Sequence, residues 1–214
     1  MKRIWLLAAV LLLLVTGCGV EVWQDTDDPV SETQTEEAKE EENAMDEIRS
    51  FTIDGVQIQL PVDYQTLAGA GWMFSDSAKA EEVLEAGTYR LESIELENEA
   101  YPQVILRAAF INQGKEAAPM TGCQVYGFAV SNATYDRIYD AYPDIELAGG
   151  VHFGSNAGEV AAVYGDPKEK IDGAFDTSYF YQSGLTAMEF GIHDTFGVDR
   201  IQLYHLPISG RLVQ

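Results

Sequence analysis

The side chains able to do chemistry are few and scattered. Three histidines, His152, His193 and His205, each fall on a predicted strand. No two stand at the i, i+4 spacing that sets paired metal ligands on one face of a helix. His193-Asp194 has the composition of a ligand beside its orienting carboxylate, but a strand running into a turn accounts for the pair equally well. Ser155 lies among glycines in Gly154-Ser155-Asn156-Ala157-Gly158, yet the Gly-x-Ser-x-Gly elbow of a serine nucleophile is not formed. Gly149, Gly150, Gly154 and Gly158 lack the lysine and the parallel strand–helix–strand setting of a phosphate loop. Asp136, Asp140 and Asp144 recur every fourth residue, without the glycine and terminal glutamate of a calcium loop, and read as a solvated face. These patterns imply no catalytic group, no metal site and no cofactor.

What remains is aromatic. The chain holds eleven tyrosines and three tryptophans. Core filling explains many of them. Tyr126, Tyr179, Tyr181 and Tyr204 are assigned to a sheet face that binds a protein or glycan partner, because aromatic rings give much contact area for little ordering entropy. The expected function is therefore a non-enzymatic protein-binding module. The alternative is a binder of a small solute or cell-wall fragment in a pocket between two halves, and an envelope hydrolase comes third. A broad open surface favours the first and a deep closed pocket the second.

Cys18 is the other reactive residue, and its setting gives the address. Met1-Lys2-Arg3 precede an unbroken apolar run, Ile4 to Val15, too short to span a bilayer as a helix. Val15-Thr16-Gly17-Cys18 resembles the bacterial lipobox, with an aliphatic residue, two small ones and the cysteine. The resemblance implies removal of residues 1–17 and attachment of diacylglycerol to the Cys18 thiol. A second acyl chain at the new amino terminus would make the anchor firm, since one chain holds a protein only marginally. The expected location is the extracytoplasmic face of the cell membrane.

Residues Glu21 to Glu47 carry twelve acidic side chains and one basic, Lys39, a net charge of −11 out of −22 for the whole chain. With little to bury, residues 18–47 read as a disordered acidic tether below the lipid. From Ile48 to Gln214 there are 23 acidic and 10 basic residues, a net of −13. No basic stripe exists, which argues against nucleic acid as a partner and against docking on anionic headgroups. With Cys18 lipidated, Cys123 has no partner for an intrachain disulfide and reads as a small buried hydrophobe.

The elements that must position these groups follow from periodicity. Phe51-Thr52-Ile53 and Val56 to Leu60 alternate on either side of Asp54-Gly55, a hairpin signal, and Pro61 stops the second strand. A short helix is expected over Val62–Ala70 with Leu67 inward, then Trp72 as a core anchor. Strands are expected over Tyr89–Glu97, Gln103–Asn112 and Thr121–Val130, while residues 77–87 and 132–144 are ambiguous. Ile145–Leu147 and Val151–Phe153 form another pair of short strands around Ala148-Gly149-Gly150. Asn156 with Glu159 opens a helix whose apolar side is Val160, Val163 and Tyr164, and Gly165-Asp166-Pro167 closes it. Strands over Ser178–Gln182, Thr186–Ile192 and Val198–Leu206 complete the chain.

The order hairpin, short helix, glycine, antiparallel strands thus occurs twice, giving an α+β class with two tandem half-domains, 48–144 and 145–214. Each is a short helix packed on an antiparallel sheet. Gly154-Ser155-Asn156-Ala157-Gly158-Glu159-Val160, then Tyr164-Gly165-Asp166-Pro167, resembles the small lipoprotein domains related to SmpA/OmlA and to β-lactamase inhibitory protein. Asp54-Gly55-Val56, Leu60-Pro61, Ala70-Gly71-Trp72, Asn112 and Cys123 resemble a group of uncharacterised Firmicutes surface lipoproteins. The resemblance implies helices on one face of an antiparallel sheet, often in tandem. It brings no inhibitory activity, since none of the inhibitor's contact residues has a match in this chain.

Overall fold

The computed structural model describes residues 48–90, 92–134, 136–206 and 211–213. The readings for residues 1–47, Cys18 included, lie outside the described residues.

Asp54 and Gly55 both take positive φ, 51° and 78°, as the Asp-Gly turn requires. They join β1 (Ser50–Ile53) to β2 (Val56–Gln59), with Ser50 opposite Gln59 and Ile53 opposite Val56. Alternation buries Phe51, Ile53 and Ile58 on one face. After Pro61 come a two-residue strand, β3 (Val62–Asp63), and helix α1 (Tyr64–Gly69), which buries Tyr64 and Leu67. Gly71 at φ 88° then turns the chain so that Trp72 enters the core completely buried, as expected of that residue.

The middle of the chain adds β4 (Met73–Phe74), the single turn α2 (Ser77–Ala80), β5 (Val83–Leu84), β6 (Thr88–Arg90), β7 (Ile94–Glu97), β8 (Ile105–Asn112), β9 (Ala118–Pro119) and β10 (Gln124–Ser131). One strand was expected over Tyr89–Glu97, and the chain makes two. Both pair with β8, but Tyr89 faces Ile111 while Ile94 faces Ala108. Five steps on one side are thus set against three on the other, and the excess leaves the ladder between β6 and β7.

The last third contributes β11 (Ile145–Leu147), a 3-10 turn (Ala148–Gly150), helix α3 (Ala157–Tyr164), and β12 (Glu169–Asp172). The strands β13 (Asp176–Ser183), β14 (Thr186–His193), β15 (Gly197–His205) and β16 (Arg211–Val213) follow. The expected capping box is present. Asn156 Oδ1 accepts from the Gly158 and Glu159 amides at 2.9 and 3.1 Å, and Glu159 Oε2 accepts from the Asn156 amide at 2.8 Å. Gly165 ends the helix at φ 74°. Val160 is buried, but Val163 is 39 % exposed, which corrects its assignment to the core side. Its methyls lie over Gly149, where a Cβ would stand 2.6 Å away. Val151–Phe153 forms a single bridge, His152 to Glu146, instead of a strand.

Most strands join one wide sheet in the order β12-β13-β14-β15-β10-β8, beyond which β7 and β6 lie end to end along β8. Pairing is antiparallel throughout except β16 with β6. A second sheet, β11-β1-β2, sits with α1 and α3 over one face of the first. Phe51 of β1 meets Phe128 of β10 at 4.5 Å between ring centroids. Tyr64 of α1 meets Phe110 of β8 at 6.0 Å, and Tyr164 of α3 meets Phe190 of β14 at 5.4 Å. The chain is thus mainly antiparallel sheet with few helices. Residues from both expected halves share one hydrophobic cluster, from Phe51 and Leu67 to Val160 and Leu203. The boundary at 144/145 does not separate two cores, because β11 pairs with β1.

Candidate functional site: the open face of the wide sheet

The four tyrosines assigned to one binding face do not share one. Tyr179 and Tyr181 lie on β13 two residues apart and turn to the covered side, where Tyr181 is buried against Tyr164 (5.6 Å) and Phe190 (5.9 Å). Tyr126 and Tyr204 lie on the opposite side of the sheet. Tyr126 is buried there too, with Ala109 and Ile111 beneath Tyr89 and Tyr204. Two of the four are therefore structural in position, since burial leaves no ring surface for a partner.

Two β-bulges shape the open side. Val125 faces Phe110 and Gly127 faces Ala109, so Tyr126 is an extra residue in β10. Gly191 faces Arg200 and Ile192 faces Val198, so Asp199 is an extra residue in β15. A bulge re-aims its side chain. The Tyr126 hydroxyl donates to the Arg90 carbonyl at 2.6 Å, and burial pushes its pKa up to about 12. Asp199 sends its main-chain carbonyl to Ser131 Oγ (2.8 Å) and the Asn132 amide (3.0 Å). Its buried carboxyl keeps one oxygen, Oδ1, without a hydrogen-bond partner. Burial raises its pKa, the Asp176 charge adds to the rise, and Arg200 and His193 oppose it.

Between the bulges runs a row of directly opposed residues crossing seven strands: Glu169, Phe180, Glu189, Gln202, Ala129, Arg107 and Glu95. A parallel row holds Ile171, Ser178, Gly191, Arg200 and Ser131. Arg200 is the hub. Its guanidinium donates to Ser178 Oγ at 2.9 Å and to Asp176 and Glu189 carboxylates at 3.3 Å. Ser178 Oγ donates to Glu189 at 3.0 Å, and Gln202 Nε2 donates to Glu189 at 2.7 Å. Arg200 spreads over Gly191, where a Cβ would lie 2.8 Å from the guanidinium carbon. The Tyr204 ring lies on Gly127 in the same way, 2.1 Å from where a Cβ would be. Both glycines leave room for a large cross-strand neighbour to lie flat. Arg107, Gln182 and Ala187 are exposed, and Phe180, Glu189, Gln202, Arg200 and Tyr204 are half-buried. The result is a broad, pre-ordered polar surface with aromatic margins.

The other residues singled out by sequence are used locally. Ser155 is buried and its Oγ accepts from the His152 amide at 3.1 Å, while His152 Nδ1 lies 2.9 Å from the Gly150 carbonyl and 3.3 Å from Ser155 Oγ. That arrangement closes the turn ahead of α3. His193 stacks on Phe196 at 4.3 Å, and its Nδ1 accepts from the Thr195 amide. His205 Nδ1 pairs with Thr186 Oγ1 at 2.9 Å. Asp136 accepts from Thr134 Oγ1, and the Asp144 amide donates to Asp54. Cys123 is buried, with its thiol pKa pushed up to about 11 by that burial. A cleft of about 470 Å³ opens between Ile48, the 3-10 turn, the end of α3 and β13. Its two tyrosine hydroxyls are bonded within the chain, Tyr164 to the Ala148 carbonyl and Tyr181 to the Gly165 carbonyl.

The Arg200 network was missed in the sequence, although Arg200, Gln202 and Tyr204 alternate on one strand and Ala187, Glu189 and Gly191 on the next. Once the turns at Ser183-Gly184 and Phe196-Gly197 fix the hairpin registers, that alternation places them together. No family model, no curated protein and no solved structure matches this chain. No helix of the described residues is long and apolar enough to cross a membrane.

Proposed function

We propose that the chain is a lipoprotein anchored through Cys18 on the extracytoplasmic face of the cell membrane, and that its α+β domain is a non-enzymatic module binding another envelope protein. The observation that carries the binding reading is the open face itself. Arg200, Glu189, Gln202 and Ser178 are held in position by one another, so contact would cost little further ordering. Arg200, Phe180 and Tyr204 on this face are of the residue types enriched at protein-recognition surfaces. The sequence supports the anchor through Val15-Thr16-Gly17-Cys18 and the acidic stretch that follows. We read 48–144 and 145–214 as two related halves fused over one core, supported by a helix-on-sheet contact in each, Tyr64 on Phe110 and Tyr164 on Phe190.

A small-solute reading has the cleft beside α3 in its favour, whose volume falls in the range of ligand pockets. Asp166, Lys168, Gln182 and Ser183 line it beside the two bonded tyrosine hydroxyls. The test uses a photo-crosslinking residue at Gln202 in the anchored protein in its own membranes, with Gln57 on the small sheet as control. A discrete protein adduct from position 202 and none from 57 supports the open face. Equal adducts from both positions, or none from 202, would overturn it.

A further inference from the structure

At the edge of the wide sheet remote from β12, β4 is two residues long and pairs only with β7 among the described strands, Met73 opposite Glu97 and Phe74 opposite Leu96. Beside it lies a cleft of about 660 Å³ between Gly71–Phe74 and the turn from Glu97 to Val104. Its floor is fixed. Buried Trp72 stacks on Tyr101 at 6.2 Å, and Phe74 packs on Phe110 at 5.5 Å. Its walls are tied together. Asn98 donates to the Ala70 carbonyl and accepts from the Ala100 amide, both at 3.0 Å, and the Tyr101 hydroxyl donates to Asp54 at 2.9 Å. A cleft so braced needs no rearrangement to receive a guest.

Its chemistry is one-sided. Met73 is 56 % exposed, beside half-buried Tyr101 and exposed Pro102. Glu97 and Glu99 are exposed on the rim and form no ion pair with a described residue. Of the neighbouring carboxylates, Glu95 pairs with Arg107 at 3.1 Å and Glu82 with Arg90 and Lys79, while Asp54 at Tyr101 adds a further negative charge. Two unpaired negative charges thus overhang an apolar floor at a short sheet edge. We infer that this cleft docks an extended segment of a partner protein, which sets an apolar side chain between Met73 and Tyr101 and Lys or Arg against Glu97 and Glu99. The inference goes beyond the open-face reading: β7 carries both Glu95 of that face and Glu97 of the cleft, but Gln202 lies three strands away, so the two tests read different places.

The lipid-free mature chain (Cys18→Ser, starting at residue 18) carrying Trp23→Phe leaves Trp72 as the only tryptophan, stacked on the cleft residue Tyr101. The probe is a synthetic octapeptide alternating Lys with Val and Phe. Saturable change in Trp72 emission is expected, weakened about fivefold by Glu97→Gln with Glu99→Gln at low salt. Met73→Asp should weaken it further, and Glu169→Gln with Asp172→Asn at the opposite edge should leave it unchanged. Equal weakening by the opposite-edge pair would reduce the effect to general attraction to an acidic chain and overturn the inference. So would equal binding of a peptide with Ser in place of Val and Phe, or no saturable signal.

Discussion

Replacing Gly127 by Ala tests whether the Tyr204 ring is held where the open face needs it. The new Cβ would stand 2.1 Å from Tyr204 Cδ1 and under 3 Å from two further ring atoms. Carbon atoms in contact want ~3.5–4.0 Å, so the ring must retreat by about 1.5 Å. It then loses its packing on Tyr126, 6.4 Å away between centroids, and uncovers Ala109 and Ile111. Overpacking of this kind costs ~1–3 kcal/mol, partly offset by the lower unfolded-state entropy of Ala. For a domain of this size each kcal/mol lowers Tm by about 2–4 °C, so a fall of roughly 2–10 °C is expected after that offset. The assay is a double-mutant cycle by thermal circular dichroism on wild type, Gly127→Ala, Tyr204→Ala and the double variant. In the Tyr204→Ala background, Gly127→Ala should cost about nothing. The same loss in both backgrounds would refute the ring-on-glycine account.

Three further outcomes are expected. Asn156→Ala removes the acceptor for two α3 amides and should cost about 1 kcal/mol, read as a shift in the urea midpoint. Cys123, with its pKa near 11, should resist iodoacetamide at pH 8 in the folded protein and react once the chain is unfolded in urea, as mass spectrometry will read. Asp199 has a folded pKa raised above 3.8, so the native state holds its proton more tightly than the unfolded chain. Its contribution is favourable below that value and is lost as pH rises through the raised one. Asp199→Asn should flatten that decline, compared by urea midpoints from pH 4 upward, and an unchanged slope would count against the buried carboxyl.

Local chemistry was legible in the sequence wherever one or two residues dictate geometry. Asp54-Gly55 specifies its turn by positive φ, Asn156 and Glu159 specify the start of α3, and Trp72 has too much apolar surface to remain outside. The three strands of the last third were legible because alternation and glycine turns agree. What pattern could not give was pairing beyond neighbours. β11 returns to β1 across more than ninety residues, and nothing local announces that the two expected halves share a core. The tyrosines show the same limit. Tyr126 and Tyr181 have the composition of surface anchors, and only the bulge at Tyr126 and the packing of α3 over β13 decide that both are buried. The acidic cleft was equally hidden, because Met73 and Glu97 are brought together by a two-residue strand too short to leave a periodic signal.

Anchoring is the claim on which the proposed role rests, and intact-mass analysis of the protein extracted from its own membranes tests it most directly. The account predicts a chain beginning at Cys18 and heavier by a diacylglycerol group, with Cys18→Ser abolishing both the added mass and membrane retention. An unmodified chain still carrying residues 1–17, recovered from the soluble fraction, would contradict it.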